Sequence, residues 1–169
     1  MSASTLLHSL FQYKVWADQT LLAELAKLDP VAHQAERHAA IRILNHAHVV
    51  DRIFAAHLLA TVHGYTATNT VETPTLAELT SAVAACDQWY IDYVAALAPE
   101  ALSERIAFTF TDGTGGQMSR EEMLAHVITH GGYHRGAVGR IMTQLSVDPP
   151  RDIYTAYLHA AEPPRRSQR

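Results

Sequence analysis

Cysteine is almost absent: Cys86 is the single one in 169 residues. A lone cysteine cannot close an internal disulfide, and it fits a reducing compartment. It has no convincing base partner, so it reads as a small buried apolar residue rather than a nucleophile. Long apolar runs are missing as well, since none approaches the roughly 18–20 residues needed to cross a bilayer. The opening MSASTLLHSLFQYKVW lacks the positive n-region and continuous apolar stretch of a secretory signal, so a cytoplasmic protein is expected. Basic charge is not in excess: 13 Lys and Arg stand against 17 Asp and Glu, a net charge of -4. That balance offers no general attraction to nucleic acid or to an anionic membrane. The one basic cluster, PPRRSQR, reads as a solvated end. Strand-period alternation is nearly absent. No Gly-rich phosphate loop follows a strand, and no Ser-His-Asp arrangement can be argued from spacing. No Glu-x-x-His occurs, which excludes a di-iron carboxylate bundle.

What the chain does have is helical period. With 48% hydrophobic and 18% charged residues it suits one globular domain over 1–169, fraying from about residue 160. Leu7, Leu10, Phe11, Val15, Leu22 and Leu25 recur at steps of three and four and mark a first helix from about Ser4 to Leu28. Ile43, Val50, Ile53 and Phe54 mark a second, from about Ala39 to His63, with Gly64 as its stop. A threonine cap at Thr73 or Thr75, with Glu78 in the first turn, opens a third helix that ends near Pro99. RIAFTFTDGTGGQMSR alternates into Asp112-Gly113, the signal of a short hairpin. Ser119 then caps a fourth helix that runs to about Leu145, with Glu121 and Glu122 where the helix dipole favours negative charge. Ile153, Tyr154 and Tyr157 in the tail are expected to pack on the body. The expected fold class is all-α, a four-helix bundle with a hairpin excursion between helices 3 and 4.

Histidine is the anomaly, with 11 copies. The stretch HVITHGGYHRGAVGRIM places His126, His130 and His134 four residues apart, within about 40° of one another on a helix. The row shares a side with Met123, Val127, Ala137, Val138, Ile141 and Leu145, so it is expected to face the core. A single histidine on an apolar face is more often a hydrogen-bonded core residue than a ligand. Two of them one turn apart can aim at a shared ion, as in helical zinc motifs. All three cannot, because positions eight apart lie about 12 Å apart along the axis, whereas a zinc–nitrogen bond is about 2.0–2.1 Å. The ion therefore takes His126 with His130, or His130 with His134, and a third ligand from another helix. His46, on the face of Ile43 and Val50, points inward and can supply it. His48, about 200° round the helix from His46, is expected at solvent or on a neighbouring surface. His57, three turns from His46, is too distant. His8, His33, His38, His63 and His159 have no helical partner at ligand spacing. Gly131 and Gly132 each cost the fourth helix about 1 kcal/mol relative to alanine, which points to a close approach by a substrate or a packed helix.

Three stretches in order resemble the DinB/YfiT-like superfamily over nearly the whole length. YKVWADQTLL is similar to its Tyr-x-x-Trp-Ala-Asn opening, here Tyr13, Trp16 and Ala17, with Asp18 where Asn is usual. ILNHAHVVDRIF carries Asn45, His46 and Asp51 of an Asn-His-x-x-x-x-Asp pattern, and HVITHGGYHRG carries His130, His134, Arg135 and Gly136 of His-x-x-x-His-Arg-Gly. The resemblance implies a metal site of His46, His130 and His134, with His126 as a neighbour that lines the pocket or supports a ligand. Asp51, about 140° from His46 on its helix, belongs to structure rather than to the metal.

Three imidazoles with no fourth protein ligand imply an open coordination position, the mark of a catalytic site rather than a structural one. The resemblance implies a metal-dependent enzyme that acts through a metal-activated low-molecular-weight thiol, as an S-transferase, or through water, as a hydrolase. No general base is identifiable. Zinc or nickel suits the ligand set best, with iron and copper also compatible. The alternative is a non-catalytic bundle stabilised by its metal. A nucleic-acid partner, suggested by the family's DNA-damage-inducible name, is disfavoured by the acidic balance and the absence of a basic helix face. The family also implies a homodimer, for which the Tyr13/Trp16 pair offers an aromatic surface.

Overall fold

The computed structural model describes residues 2–166. The described elements are α1 (Ala3–Ala26), α2 (Gln34–Leu58), α3 (Leu76–Ala96), β1 (Arg105–Thr109), β2 (Gly115–Ser119), α4 (Arg120–Gln144) and α5 (Tyr154–Ala161), with 3-10 turns at Pro99–Ser103 and Pro163–Arg165. This is the all-α bundle expected, with a two-stranded sheet between α3 and α4.

Local chemistry sets most of the helix ends. Thr75 and Ser119 each close a capping box, with Glu78 and Glu122 respectively. The second helix differs from expectation at both ends. It starts at Gln34 rather than near Ala39, led in by Asp29, whose carboxylate accepts from the Val31 and Ala32 amides at 2.8 and 2.9 Å. It stops at Leu58, well before Gly64, because Ala60 adopts a left-handed φ of 53°. The Thr61 amide then donates to the Ala56 carbonyl at 2.9 Å and the Ala60 amide to that of His57 at 3.1 Å, the bond pair of a Schellman stop. Ser146 ends α4 in the same way, with φ 59° and a 3.0 Å bond from Val147 to Met142. In the hairpin, Thr109 pairs with Gly115 and the loop turns through Gly113 at φ 87°.

In the bundle α1 packs against α3 and α4, and α2 against the same two, so α1 and α2 stand diagonally. The short α5 lies on α1: Tyr154 and Ser9 share a 2.8 Å hydrogen bond, and Tyr157 stacks obliquely on Tyr13 and Trp16. The Tyr13/Trp16 pair, expected as an open surface, is thus covered by the chain's own tail.

The core has two apolar halves with a charged layer between them. One half gathers Leu7, Phe11, Phe54, Tyr90, Met123 and Val127; the other gathers Leu21, Leu25, Leu44, Leu79, Val138 and Met142. Between them in each helix stand Lys14 and Asp18 of α1, Asp51 of α2, Asp87 of α3 and Arg135 of α4, all buried. Lys14 Nζ lies 2.9 Å from Asp18, 2.9 Å from Asp51 and 2.6 Å from Asp87. Arg135 reaches Asp18 at 3.1 Å and Asp152 at 2.7 Å. Burial by itself would discharge Lys14, but the three surrounding carboxylates hold its pKa well above the usual lysine value. Burial pushes Asp51 up to about 6 and Asp87 up to about 7, outweighing the attraction of Lys14.

Gly131 belongs to this layer. A Cβ there would stand 3.2 Å from Arg135 Nη1 and 3.4 Å from Lys14 Cε, so the missing side chain makes room for the lysine of α1. Of the two expected reasons for the glycine pair, helix packing is the one seen at Gly131. Gly132 has only Arg135 Nη2 within reach, at an ordinary 3.7 Å.

Candidate metal centre

Because α2 and α4 are neighbours, histidines on their facing edges meet. His46 comes from α2, and His130 and His134 come from successive turns of α4. One ring nitrogen from each lies within 4.8 Å of the others, and the three side chains are half-buried. Ring centroids stand 5.2 Å apart for His46 and His130, 4.6 Å for His46 and His134, and 4.4 Å for His130 and His134. The Nε2 atoms of His130 and His134 are 3.1 Å apart. Two nitrogens bound to one tetrahedral ion at about 2.0–2.1 Å would be separated by about 3.4 Å, so this pair needs only a small adjustment to share an ion.

The structure changes the expected setting of the histidine row and narrows that of His48. The His126–His130–His134 row does not face the bundle centre. Met123, Val127, Val138 and Met142 do, and the histidines flank them at the half-buried edge between α2 and α4. His48 is half-buried and takes the second of its two expected placements, against the surface of neighbouring helices. It borders a cavity of about 20 Å³ with Lys14, Asp18, Asp51 and Arg135. Burial, reinforced by Arg52 and Lys14, pulls its pKa down to about 4. The reason is shared: a helix packed on two neighbours buries more than one stripe.

Other placements follow the spacing argument. His126 lies outside the converging group, stacked on Phe54 at 4.6 Å and on His130 at 5.2 Å. His57 turns away to Phe108 and His63. Asp51 is buried against Lys14, as a structural carboxylate.

The electrostatics favour ligand-ready imidazoles. Burial, with His134, His126 and His46 nearby, pulls His130 down to about 4, and burial also lowers His134. Both are therefore neutral at neutral pH, the form that binds a metal. His46 Nδ1 lies 2.7 Å from the Thr68 carbonyl. A carbonyl only accepts, so Nδ1 is the donor and Nε2 is the nitrogen left to face an ion, the arrangement of a metal ligand oriented by its other nitrogen. Nδ1 of His130 is buried without a protein partner.

Thr68 went unnoticed in the sequence, and nothing in YTATNTVETP singles it out. The loop is pinned by Asn45, which donates to Asn69 at 2.5 Å and to Thr70 at 2.7 Å, while Asn69 donates to the Arg42 carbonyl at 3.0 Å. The charged layer was missed too, although its signal was present: Lys14 and Asp18 continue the apolar stripe of Leu7, Phe11, Leu21 and Leu25.

Among the described residues the ligand-bearing group consists of these three histidines, without a carboxylate or thiolate. A set of three imidazoles fits a divalent ion with a coordination position left over. No described helix is long and apolar enough to cross a membrane. A family model described as the DinB family matches residues 1–167. No curated protein and no solved structure matches the chain.

Proposed function

The chain belongs to the DinB family, and on that premise we propose that it is a metal-dependent enzyme using His46, His130 and His134 as ligands to one divalent ion. Its substrates are small molecules, a low-molecular-weight thiol or water as nucleophile and an electrophile as acceptor, which makes it an S-transferase or a hydrolase of the cytoplasm. The observation that carries this reading is the convergence of three imidazole nitrogens within 4.8 Å from two helices, with no fourth protein ligand among the described residues.

When bound, the ion supplies Lewis acidity and lowers the pKa of a thiol or water in the remaining position. The protein's part is orientation and shielding. The Thr68 carbonyl fixes the His46 ring, burial keeps His130 and His134 unprotonated, and His126 closes one side of the site. Zinc or nickel suits this ligand set, with iron and copper as further members of the affinity order.

A second reading has its own support, because the ligands tie α2 to α4 and an ion would clamp the bundle without turnover. Elemental analysis, followed by thiol-conjugation and ester-hydrolysis screens on metal-loaded protein, separates the two. Turnover that disappears together with the metal in His130→Ala supports the enzyme. A raised Tm on metal loading with no turnover across the screens supports the clamp. Absence of stoichiometric metal in the wild type, or turnover that survives its loss in His130→Ala, overturns the proposed mechanism.

A further inference from the structure

Beside the three histidines, one helical turn along α2 from His46, lies an apolar pocket of about 50 Å³. Val50, Ile53, Phe54 and His57 of α2 line one side, Phe108, Phe110 and Thr111 of the hairpin another, and Thr68 borders it as well. Two contacts join it to the histidine group. Thr68, which borders the pocket, also supplies the carbonyl that accepts from His46 Nδ1 at 2.7 Å. On the other side Phe54 stacks on His126 at 4.6 Å, and His126 on His130 at 5.2 Å. Pocket and histidines therefore share a boundary.

The hairpin side is built from a specific sequence feature. Phe108 pairs across the hairpin with Gly116. A Cβ on Gly116 would fall 2.8 Å from Phe108 Cζ and 2.8 Å from Phe110 Cε2, so both rings lie over the space a side chain would fill. Phe110 remains 46% exposed and forms a lip towards solvent.

We propose that this pocket receives a short apolar group, two or three carbons long, of the substrate whose reacting atom meets the metal; the inference rests on the metal-centre reading above. Polarity and size both lead there. Five of the eight lining residues are aliphatic or phenyl, and the surface they form with His57, Thr68 and Thr111 is predominantly apolar, so a charged group would lose its hydration for few replacement partners. A cavity of about 150 Å³ accepts benzene, and a water molecule occupies about 30 Å³. A pocket of about 50 Å³ is therefore too small for an aromatic ring and matches about two methylene-sized groups. The class of acceptor is a small electrophile with a short alkyl or alkenyl arm beside its reactive centre.

Calorimetric titration of zinc-loaded protein with a series of straight-chain alkyl hydroxamates tests this independently of turnover. The hydroxamate anchors on the ion and the alkyl arm probes the pocket. Affinity is expected to rise about fourfold per added methylene from acetohydroxamate to butyrohydroxamate, and then to level off at hexanohydroxamate. Val50→Phe, which fills the pocket, and Phe110→Ala, which removes the exposed lip without opening the core, should both flatten the rise. A flat series in the wild type, a rise continuing to the six-carbon chain, or a rise unchanged in both variants overturns the pocket assignment. Absence of zinc-dependent hydroxamate binding at any chain length overturns the metal-centre reading beneath it.

Discussion

Replacing Lys14 by methionine keeps the length of the side chain and removes its charge. In the native layer two cations, Lys14 and Arg135, face four carboxylates, those of Asp18, Asp51, Asp87 and Asp152. Lys14 touches three of them within 2.9 Å, and its side chain is only 3% exposed. Methionine would leave Asp51 and Asp87 without a cationic partner, since Arg135 pairs with Asp18 and Asp152 instead. Removing one partner of a buried ion pair typically costs about 3–5 kcal/mol. At about 2–4 °C per kcal/mol for a chain of this length, Tm should fall by about 6–20 °C.

The pH dependence gives this prediction a second handle. The folded-state pKa values of Asp51 and Asp87, about 6 and about 7, lie above the unfolded carboxylate value of 3.8. The folded state thus holds more protons than the unfolded state across that window, and these two groups favour folding less as pH rises through it. Without Lys14 the carboxylates repel one another more strongly, so the deficit of Lys14→Met should be larger at pH 8 than at pH 5.5. Thermal unfolding followed by circular dichroism at the two pH values measures both effects. The triple change Lys14→Met, Asp51→Asn and Asp87→Asn, which removes charge of both signs, should recover part of the loss. A Lys14→Met protein with native Tm at pH 8, or with the same deficit at both pH values, would refute the charged-layer reasoning.

Two further predictions rest on single contacts. Gly131→Ala should destabilise by about 1–3 kcal/mol, because Lys14 and Arg135 are held by aspartates and cannot yield to a Cβ 3.4 and 3.2 Å away. Gly132→Ala meets nothing closer than 3.7 Å and should stabilise by up to about 1 kcal/mol; opposite signs in urea unfolding check the pair, and equal effects would sink the explanation. His48, pulled down to about 4 by burial, should stay neutral to well below pH 6 in NMR titration. Its folded pKa lies below its unfolded 6.5, so its contribution to stability is present above pH 6.5 and is lost as pH falls towards 4. A midpoint near 6.5 would place His48 in solvent.

The legible parts of this fold are those with local causes. The capping boxes at Thr75 and Ser119 could be read from a threonine or serine followed three residues later by glutamate, and each sets its helix start. The end of α2 could not, since a left-handed alanine at position 60 does the work that sequence reading assigns to glycine. Helical spacing brings His130 to His134, but only the adjacency of α2 and α4 brings His46 to both. The helical face shared with Ile43 and Val50 nominated His46 as that partner, and the resemblance chose His134 over His126 as its companion to His130. The Thr68 carbonyl and the apolar pocket depend on a loop and a hairpin folding back over α2, and no pattern in those segments encodes it.

The family-like residues divide between two jobs, and the division explains why they occur together. Asp18, Asp51 and Arg135 lie in the charged layer, and Tyr13 caps it through a 2.5 Å bond to Asp152 with the Arg135 guanidinium over its ring. His46, His130 and His134 stand at the edge. Along α4 the two sets alternate: Gly131 follows His130 and Arg135 follows His134. Neighbouring residues on a helix differ by about 100° in direction, so burying Gly131 beneath Lys14 and Arg135 between two aspartates fixes the rotation of α4 about its axis. That rotation aims His130 and His134 at α2. On α2, Asp51 lies about 140° from His46, and its bond to Lys14 orients that helix in the same way. An apolar layer would tolerate small rotations of either helix, whereas ion pairs of 2.6–3.1 Å do not. The buried charges thus serve the histidines as a protractor, setting the angles at which three imidazoles from two helices converge.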